Sequence, residues 1–287
     1  MTKAAKHSWS ARAAATSAGL AALLAGGAAF AAAGYADPGQ MGMQESVTPI
    51  AREIRDLHDG VLMPIITIIT LFVAALLAYV VVKFNDKANP APSRTTHHTG
   101  LEVAWTVIPV LILVVIAVPS FRLLTRQVAT PASDMTVKVT GRQWYWSYDY
   151  PKTEQAAAFG FDSLMKPENE LKPGDIRLLS VDNEAVVPVG KTVKLLVTSS
   201  DVIHSFTIPS FGVRIDAVPG RMNESWFKAE KEGIYYGQCS KICGKDHAYM
   251  PIAFRVVSEQ KYAEWVAAHK KKADAAKAQN ADASAAR

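Results

Sequence analysis

The chain has 287 residues, 49% of them hydrophobic and 20% charged, with a formal net charge of +5. That apolar fraction excludes intrinsic disorder, and two cysteines in so long a chain exclude a disulfide scaffold. No basic stripe with interleaved aromatics is present, which excludes a nucleic-acid binder. Long uncharged runs fill the first 121 residues, and nearly all the charge lies beyond them or in short connecting segments. This is the pattern of a membrane protein with one soluble domain.

Lys3, Lys6 and Arg12 open the chain, an Ala/Leu/Gly stretch follows over 13–33, and Gly34 and Ala36 are small residues spaced for signal peptidase. Residues 1–36 therefore read as a secretory signal cleaved near Ala36. The alternative, a retained membrane helix, is disfavoured by the richness in Ala and Gly. Residues 37–60 form an N-terminal extracytoplasmic segment. Next come two charge-free runs, 61–82 and 103–121, each long enough to cross a hydrocarbon core of about 30 Å. Inside lipid the backbone must bond to itself, so both are helices despite Pro64 and Pro109, and 61–122 is a transmembrane hairpin. Flanking Lys and Arg are balanced and do not orient it. A cleaved signal does: the new N-terminus lies outside, and two crossings return the soluble domain outside, as in a bacterial-type inner membrane.

From residue 135 to 257 short apolar runs alternate with turn residues. The segments "MTVKVTG", "IRLLSVD", "KTVKLLVTSS", "ESWFKAE" and "IAFRVVS" read as strands, with Pro-Gly at 173–174 and 219–220 marking turns. About eight short strands suggest an antiparallel sandwich or barrel, a domain of residues 130–258. The Ala/Lys-rich tail, 259–287, is helical at its start and frayed at its end.

The end of this domain concentrates chemistry: Cys239, Cys243, His247 and Met250 in "CSKICGKDHAYM", with His204 in "DVIHSFTIP". Thiolate, imidazole and thioether together form the ligand set that selects copper. A closed zinc site would use four Cys or His ligands and has no use for Met250. One thiolate with one His and Met describes a mononuclear site. Two thiolates in one loop also allow both sulfurs to bridge two metal ions, each completed by an imidazole. The competing fate of the cysteines is a disulfide. No open coordination position for substrate is evident, which points to electron transfer.

The spacing Cys-x3-Cys-x3-His-x2-Met, the upstream His204, and "GRQWYWSYDYP", "LKPGDIRLLSVDN" and "DAVPGR" resemble subunit II of the cytochrome c oxidases. The resemblance runs from about Leu57 to Trp265. It implies a membrane α-helical hairpin carrying an all-β, cupredoxin-like Greek-key barrel with the binuclear copper A centre. That centre takes electrons from cytochrome c and passes them to the haems and copper B of subunit I, where oxygen is reduced to water and protons are pumped. Subunit III is a further partner. The resemblance makes His204, Cys239, Cys243, His247, Met250 and the backbone carbonyl of Lys241 the copper ligands. The family places Glu at the latter position, and its side chain helps bind an interfacial magnesium. An ammonium repels such an ion, so magnesium is doubtful here.

Trp144 matches the family residue through which cytochrome c delivers its electron; ordinary strand packing is the competing account of this aromatic run. Gln143, Asp149, Asp162, Asp182 and Asp201 match docking positions. Charge supports the three within residues 149–184, a segment that holds eight acids against four bases and would steer a basic partner. Glu102, beside the second span, matches the cytoplasmic entrance of a proton path in subunit I. Three rivals are disfavoured. Quinol oxidase relatives lack the copper ligands, nitrous oxide reductase needs a propeller domain for which there is no room, and thioredoxin-like copper chaperones have one anchor and no Met250.

Overall fold

The computed structural model describes residues 34–152 and 158–269. Of the expected signal, residues 1–33 lie outside the described residues, as does the tail beyond 269. Thr48 opens a first helix, α1 (Pro49–Leu57): its hydroxyl accepts from the Ala51 amide at 3.0 Å and donates to the Phe211 carbonyl at 2.8 Å. The sequence reading did not separate this helix from the segment preceding the membrane. A π-helical turn, His58–Leu62, joins it to α2 (Met63–Lys83), and α3 (Thr99–Val128) follows a polar connection.

α2 and α3 correspond to the two expected spans. Their side chains are apolar on all faces and almost all exposed, as helices in contact with lipid or partner chains are. α3 outruns its charge-free stretch at both ends. At its start, His98 Nδ1 accepts from the Leu101 amide while Glu102 Oε1 accepts from the His98 amide, each at 3.3 Å, which caps the helix reciprocally. At its end, Arg126 pairs with Glu53 of α1, and its carbonyl accepts from Trp226 Nε1 at 3.2 Å. Arg52 of α1 pairs in turn with Glu230. α1 is thus a clamp between the hairpin and the soluble domain.

Among the described residues the domain has ten strands: β1 (Met135–Arg142), β2 (Tyr145–Tyr150), β3 (Phe159–Ser163), β4 (Ala185–Pro188), β5 (Thr192–Ser199), β6 (His204–Ile208), β7 (Val213–Ala217), β8 (Asn223–Lys228), β9 (Gly233–Gln238) and β10 (Pro251–Val257). They form a five-stranded sheet in the order β3-β2-β1-β5-β8, a three-stranded sheet β4-β10-β9, and the pair β6-β7. Two pairings are parallel, β1 with β5 and β4 with β10, so the expected all-antiparallel arrangement is corrected. The chain between the partners is long enough for the crossovers that parallel strands need. Strands β1 and β5 alternate buried Val137, Val139, Val193, Leu195 and Val197 with outward residues that are polar apart from Leu196, which fixes their register. Between the layers, Trp146, Tyr148, Phe206, Phe211, Phe227 and Phe254 are fully buried. Each contributes roughly 2–3 kcal/mol of burial.

"IRLLSVD" is not a strand. Ser180 bonds back to it, its hydroxyl accepting from the Ile176 amide at 2.8 Å and its own amide donating to the Ile176 carbonyl at 2.9 Å. This turn sends Ile176, Leu179 and Val181 onto Tyr236 and Ala253 as a small second cluster. A run of apolar residues marked burial, and the side-chain cap decided against the ladder. The start of the tail is helical over 259–269, as expected. Tyr262, Trp265 and His269 share one face, and the Trp265 ring centroid lies 5.2 Å from that of Tyr150 and 5.4 Å from that of Phe159.

Candidate metal centre

Strand β6 begins at His204 and strand β9 ends at Gln238, so the sheet edges bring the distant histidine and the cysteine loop to one end of the domain. There the ligand atoms converge. Cys239 Sγ lies 4.0 Å from Cys243 Sγ, 4.0 Å from His204 Nδ1 and 3.3 Å from the Lys241 carbonyl oxygen. Cys243 Sγ lies 3.5 Å from His247 Nδ1 and 3.6 Å from Met250 Sδ. All six residues named from the sequence are therefore present at one locus. The sulfurs stand at twice the length of a disulfide bond, about 2.05 Å, and both thiols are free. His204, Cys239, Cys243 and Met250 are buried, while His247 is half-buried at the surface side.

The loop is held from behind. Gln143 Nε2 and Trp144 Nε1 both donate to the Cys243 carbonyl, at 2.8 and 3.3 Å, and Trp146 Nε1 donates to the Met250 carbonyl at 3.1 Å. The Ser240 amide reaches the Ser205 carbonyl at 3.0 Å. Gly141 of β1 makes room for the imidazole: a Cβ there would stand 2.9 Å from His204 Cδ2. Trp146 covers the same ring edge-on at 5.9 Å. The sequence reading missed these supports. An indole run beside a Gly was the available signal, but its alternation does not reveal which carbonyl each ring meets.

Electrostatics favour a metal. Burial raises the Cys239 thiol, but hydrogen bonds from His204 and from the backbone of Ser205 and Lys241 outweigh it and bring it below its ordinary value. Burial and then the neighbouring Cys239 thiolate push Cys243 up. Two thiolates side by side thus repel each other until cations compensate them, and metal binding displaces both protons. Burial lowers His204, yet its contacts with Cys239 and Asp201 raise it overall. Asp201 Oδ1 lies 2.8 Å from His204 Nε2 and fixes the ring so that Nδ1 faces the sulfurs. Soft, convergent and held from behind, this donor set fits copper.

Of the remaining predicted residues, Gln143, Trp144 and Asp201 touch that cluster, whereas Asp149, Asp162, Asp182 and Glu102 lie apart from it. Asp149 is on β2, 3.4 Å from Lys138, Asp162 on β3 accepts from Ser147 at 2.6 Å, and Asp182 accepts from the Leu164 amide at 2.7 Å. Asp201, predicted as a docking acid, is mainly the partner of His204 and of the Gln143 amide at 2.7 Å. The Lys241 side chain is exposed, with Nζ 3.7 Å from Asp216 Oδ2. Glu102 lies twenty-four residues before Arg126 on α3, roughly 36 Å along the helix axis from the clamp beneath the soluble domain.

Comparison with known proteins places this architecture. The family described as cytochrome c oxidase subunit II, periplasmic domain, matches residues 135–257, and the corresponding transmembrane domain matches residues 36–123. The chain belongs to the cytochrome c oxidase subunit II family. It is 51% identical to the probable cytochrome c oxidase subunit 2 of Rickettsia bellii over 82% of this chain and 86% of that one. Against the cytochrome c oxidase subunit 2 of Cereibacter sphaeroides it is 49% identical over 81% of each chain. The crystal structure of the periplasmic domain of subunit II of the Bradyrhizobium japonicum cytochrome oxidase is 57% identical, covering 50% of this chain and 99% of that one with a TM-score of 0.46. The subunit thus combines a helical hairpin with a cupredoxin-like domain. Its role is electron transfer through copper A in a respiratory haem-copper cytochrome c oxidase, alongside the subunit that reduces oxygen.

Proposed function

We propose that His204, Cys239, Cys243, His247, Met250 and the Lys241 carbonyl hold the two coppers, and that cytochrome c delivers its electron through Trp144. The observation that carries this reading is the convergence of two thiols, two imidazoles and one thioether within 4.0 Å contacts around the cysteine pair. Copper A, when bound, supplies a one-electron relay. The polypeptide supplies the rest. It buries the sulfurs, orients His204 through Asp201, and ties the half-buried Trp144 ring to the Cys243 carbonyl at 3.3 Å. That tie gives a short covalent and hydrogen-bonded route from the surface to a ligand residue.

Asp149, Asp162 and Asp182 line the β2-β3 side as acids that attract a basic cytochrome c, with Gln143 beside the indole. Asp201 contributes charge there but acts first on His204. Glu102, at the membrane end opposite the copper domain, serves the proton entrance of the oxygen-reducing subunit I, and subunit III completes the complex. With the leader removed, the copper domain faces the periplasm from a bacterial inner membrane. The domain limits are those read from the sequence, except that the leader ends before the packed residue Gly34 and not near Ala36. Magnesium does not fit this chain, because the residue that would bind it is Lys241 and its ammonium faces Asp216. Metal analysis of the purified complex tests the central assignment. The subunit accounts for two coppers with visible and near-infrared absorption, and a single copper without the near-infrared band would overturn it.

A further inference from the structure

The turn that carries Cys243 runs directly beneath Trp144. Gly244 adopts φ +127°, and a Cβ there would stand 2.9 Å from Trp144 Cζ2, so the indole lies close against backbone. The next residue, Lys245, folds back over the ring with Nζ 5.5 Å from the centroid, the geometry of a cation–π contact. Its side chain is 77% exposed, and its nearest carboxylate, Asp246 Oδ2, is 3.7 Å away. Asp201, which accepts from the amide of Gln143, the residue before Trp144, is also engaged by His204 Nε2 and the Val202 amide. The acids that attract a basic donor, Asp149, Asp162 and Asp182, sit on or beside β2 and β3.

We infer that Lys245 is a specificity-determining residue of electron entry. Its ammonium, offset only by Asp246 at 3.7 Å, sets a positive charge directly against the Trp144 ring within an acidic surface. A donor then docks best when a neutral or acidic group meets Trp144 and its basic groups reach the outlying acids. A donor with uniformly basic surroundings to its redox centre is admitted more slowly. The inference rests on the reading of Trp144 as the entry point.

The test uses the intact purified oxidase complex and a reduced basic cytochrome c, with stopped-flow reduction measured across a salt series. Wild type is compared with Lys245→Gln, Lys245→Glu, Lys245→Arg and Trp144→Phe. Removing one like charge at about 7 Å in water changes association about two- to three-fold. Lys245→Gln is therefore expected to be faster by about that factor near 10 mM salt, Lys245→Glu faster still, and Lys245→Arg equal to wild type. Wild type and the three Lys245 variants should converge near about 300 mM, where screening acts within a few ångströms. Second-order rates for Lys245→Gln and Lys245→Glu that match or fall below wild type at low salt overturn the inference. So does an acceleration that persists at high salt, because it would reflect altered structure and not charge. The Trp144→Phe arm separates the two readings. A slowed Trp144→Phe with an inert Lys245 series removes Lys245 alone, whereas an unslowed Trp144→Phe removes the entry assignment on which the inference rests.

Discussion

Asp201 holds His204 by the ring edge opposite the sulfurs: Oδ1 is 2.8 Å from Nε2, while Nδ1 faces Cys239. A carboxylate in this position fixes the tautomer and raises the basicity of the ligating nitrogen, and loss of such a partner typically costs about 10- to 100-fold in metal affinity. Asp201→Asn is therefore expected to weaken copper retention in a chelator competition and to shift the copper spectrum at every ionic strength. A defect confined to low salt and to the reaction with cytochrome c would make Asp201 a docking residue only.

The docking acids should behave differently. Asp149→Asn, Asp162→Asn and Asp182→Asn each remove one exposed charge and are expected to slow association about two- to three-fold at low salt, with no effect on the copper spectrum. Trp144→Phe is expected to slow electron entry about tenfold or more while leaving binding near wild type, a loss equivalent to about 1.4 kcal/mol of barrier. Equal, salt-independent effects from both groups would remove the division of roles.

Within the centre, bridging and tuning are separable by substitution. Cys243 Sγ lies 3.5 to 4.0 Å from three other donors, those of Cys239, His247 and Met250. Cys243→Ser replaces an ionisable sulfur with a hydroxyl that stays protonated, so the two-copper spectrum should be lost. Met250→Leu is close in volume and keeps the buried site filled, so copper should remain with a raised potential and altered spectrum. A normal two-copper spectrum in Cys243→Ser would contradict the bridging assignment.

Much of this was legible in the sequence because the signals were strong and local. Charge-free runs over 61–82 and 103–121 give helices whatever surrounds them, and a ligand set that lies within twelve residues, His204 apart, identifies itself by chemistry. The misreadings share a cause. "IRLLSVD" has apolar content and no ladder because the Ser180 hydroxyl takes up the Ile176 amide, a contact that composition does not encode. The parallel pairing of β1 with β5 depends on crossovers set by the whole domain. Asp201 was read from its match to the docking positions, which does not reveal its second contact. Its link to His204 three residues later arises only because the chain turns between β5 and β6.

Lys241 divides into two independent parts. Its carbonyl meets Cys239 Sγ at 3.3 Å, a contact any side chain allows, while its ammonium stands 3.7 Å from Asp216. Lys241→Glu is expected to leave the copper spectrum nearly unchanged and to strengthen manganese binding at the subunit contact, since a carboxylate replaces a like charge beside Asp216. Paramagnetic resonance of manganese on both forms is the measurement. Tight manganese in the wild type, unaffected by the substitution, would show that this side chain has no part in cation binding.

The amide of Tyr236 in β9 donates to the Gly34 carbonyl at 2.8 Å, and the Tyr35 ring meets Tyr236 edge-on at 6.1 Å. A cut after Ala36, where the small residues first suggest one, would remove both contacts. It would leave a strand amide without its partner, at a cost of about 1 kcal/mol or more. The sequence offers another site that spares them: Ala31, Ala32 and Ala33 place small residues at both positions that signal peptidase reads, immediately before Gly34. The mature subunit is therefore expected to begin at Gly34. N-terminal sequencing of the purified subunit, with its intact mass, checks this directly. A chain beginning at Asp37 would show that the Gly34–Tyr236 contact is absent from the mature protein. One that retains residues 1–33 would show that the segment is not removed.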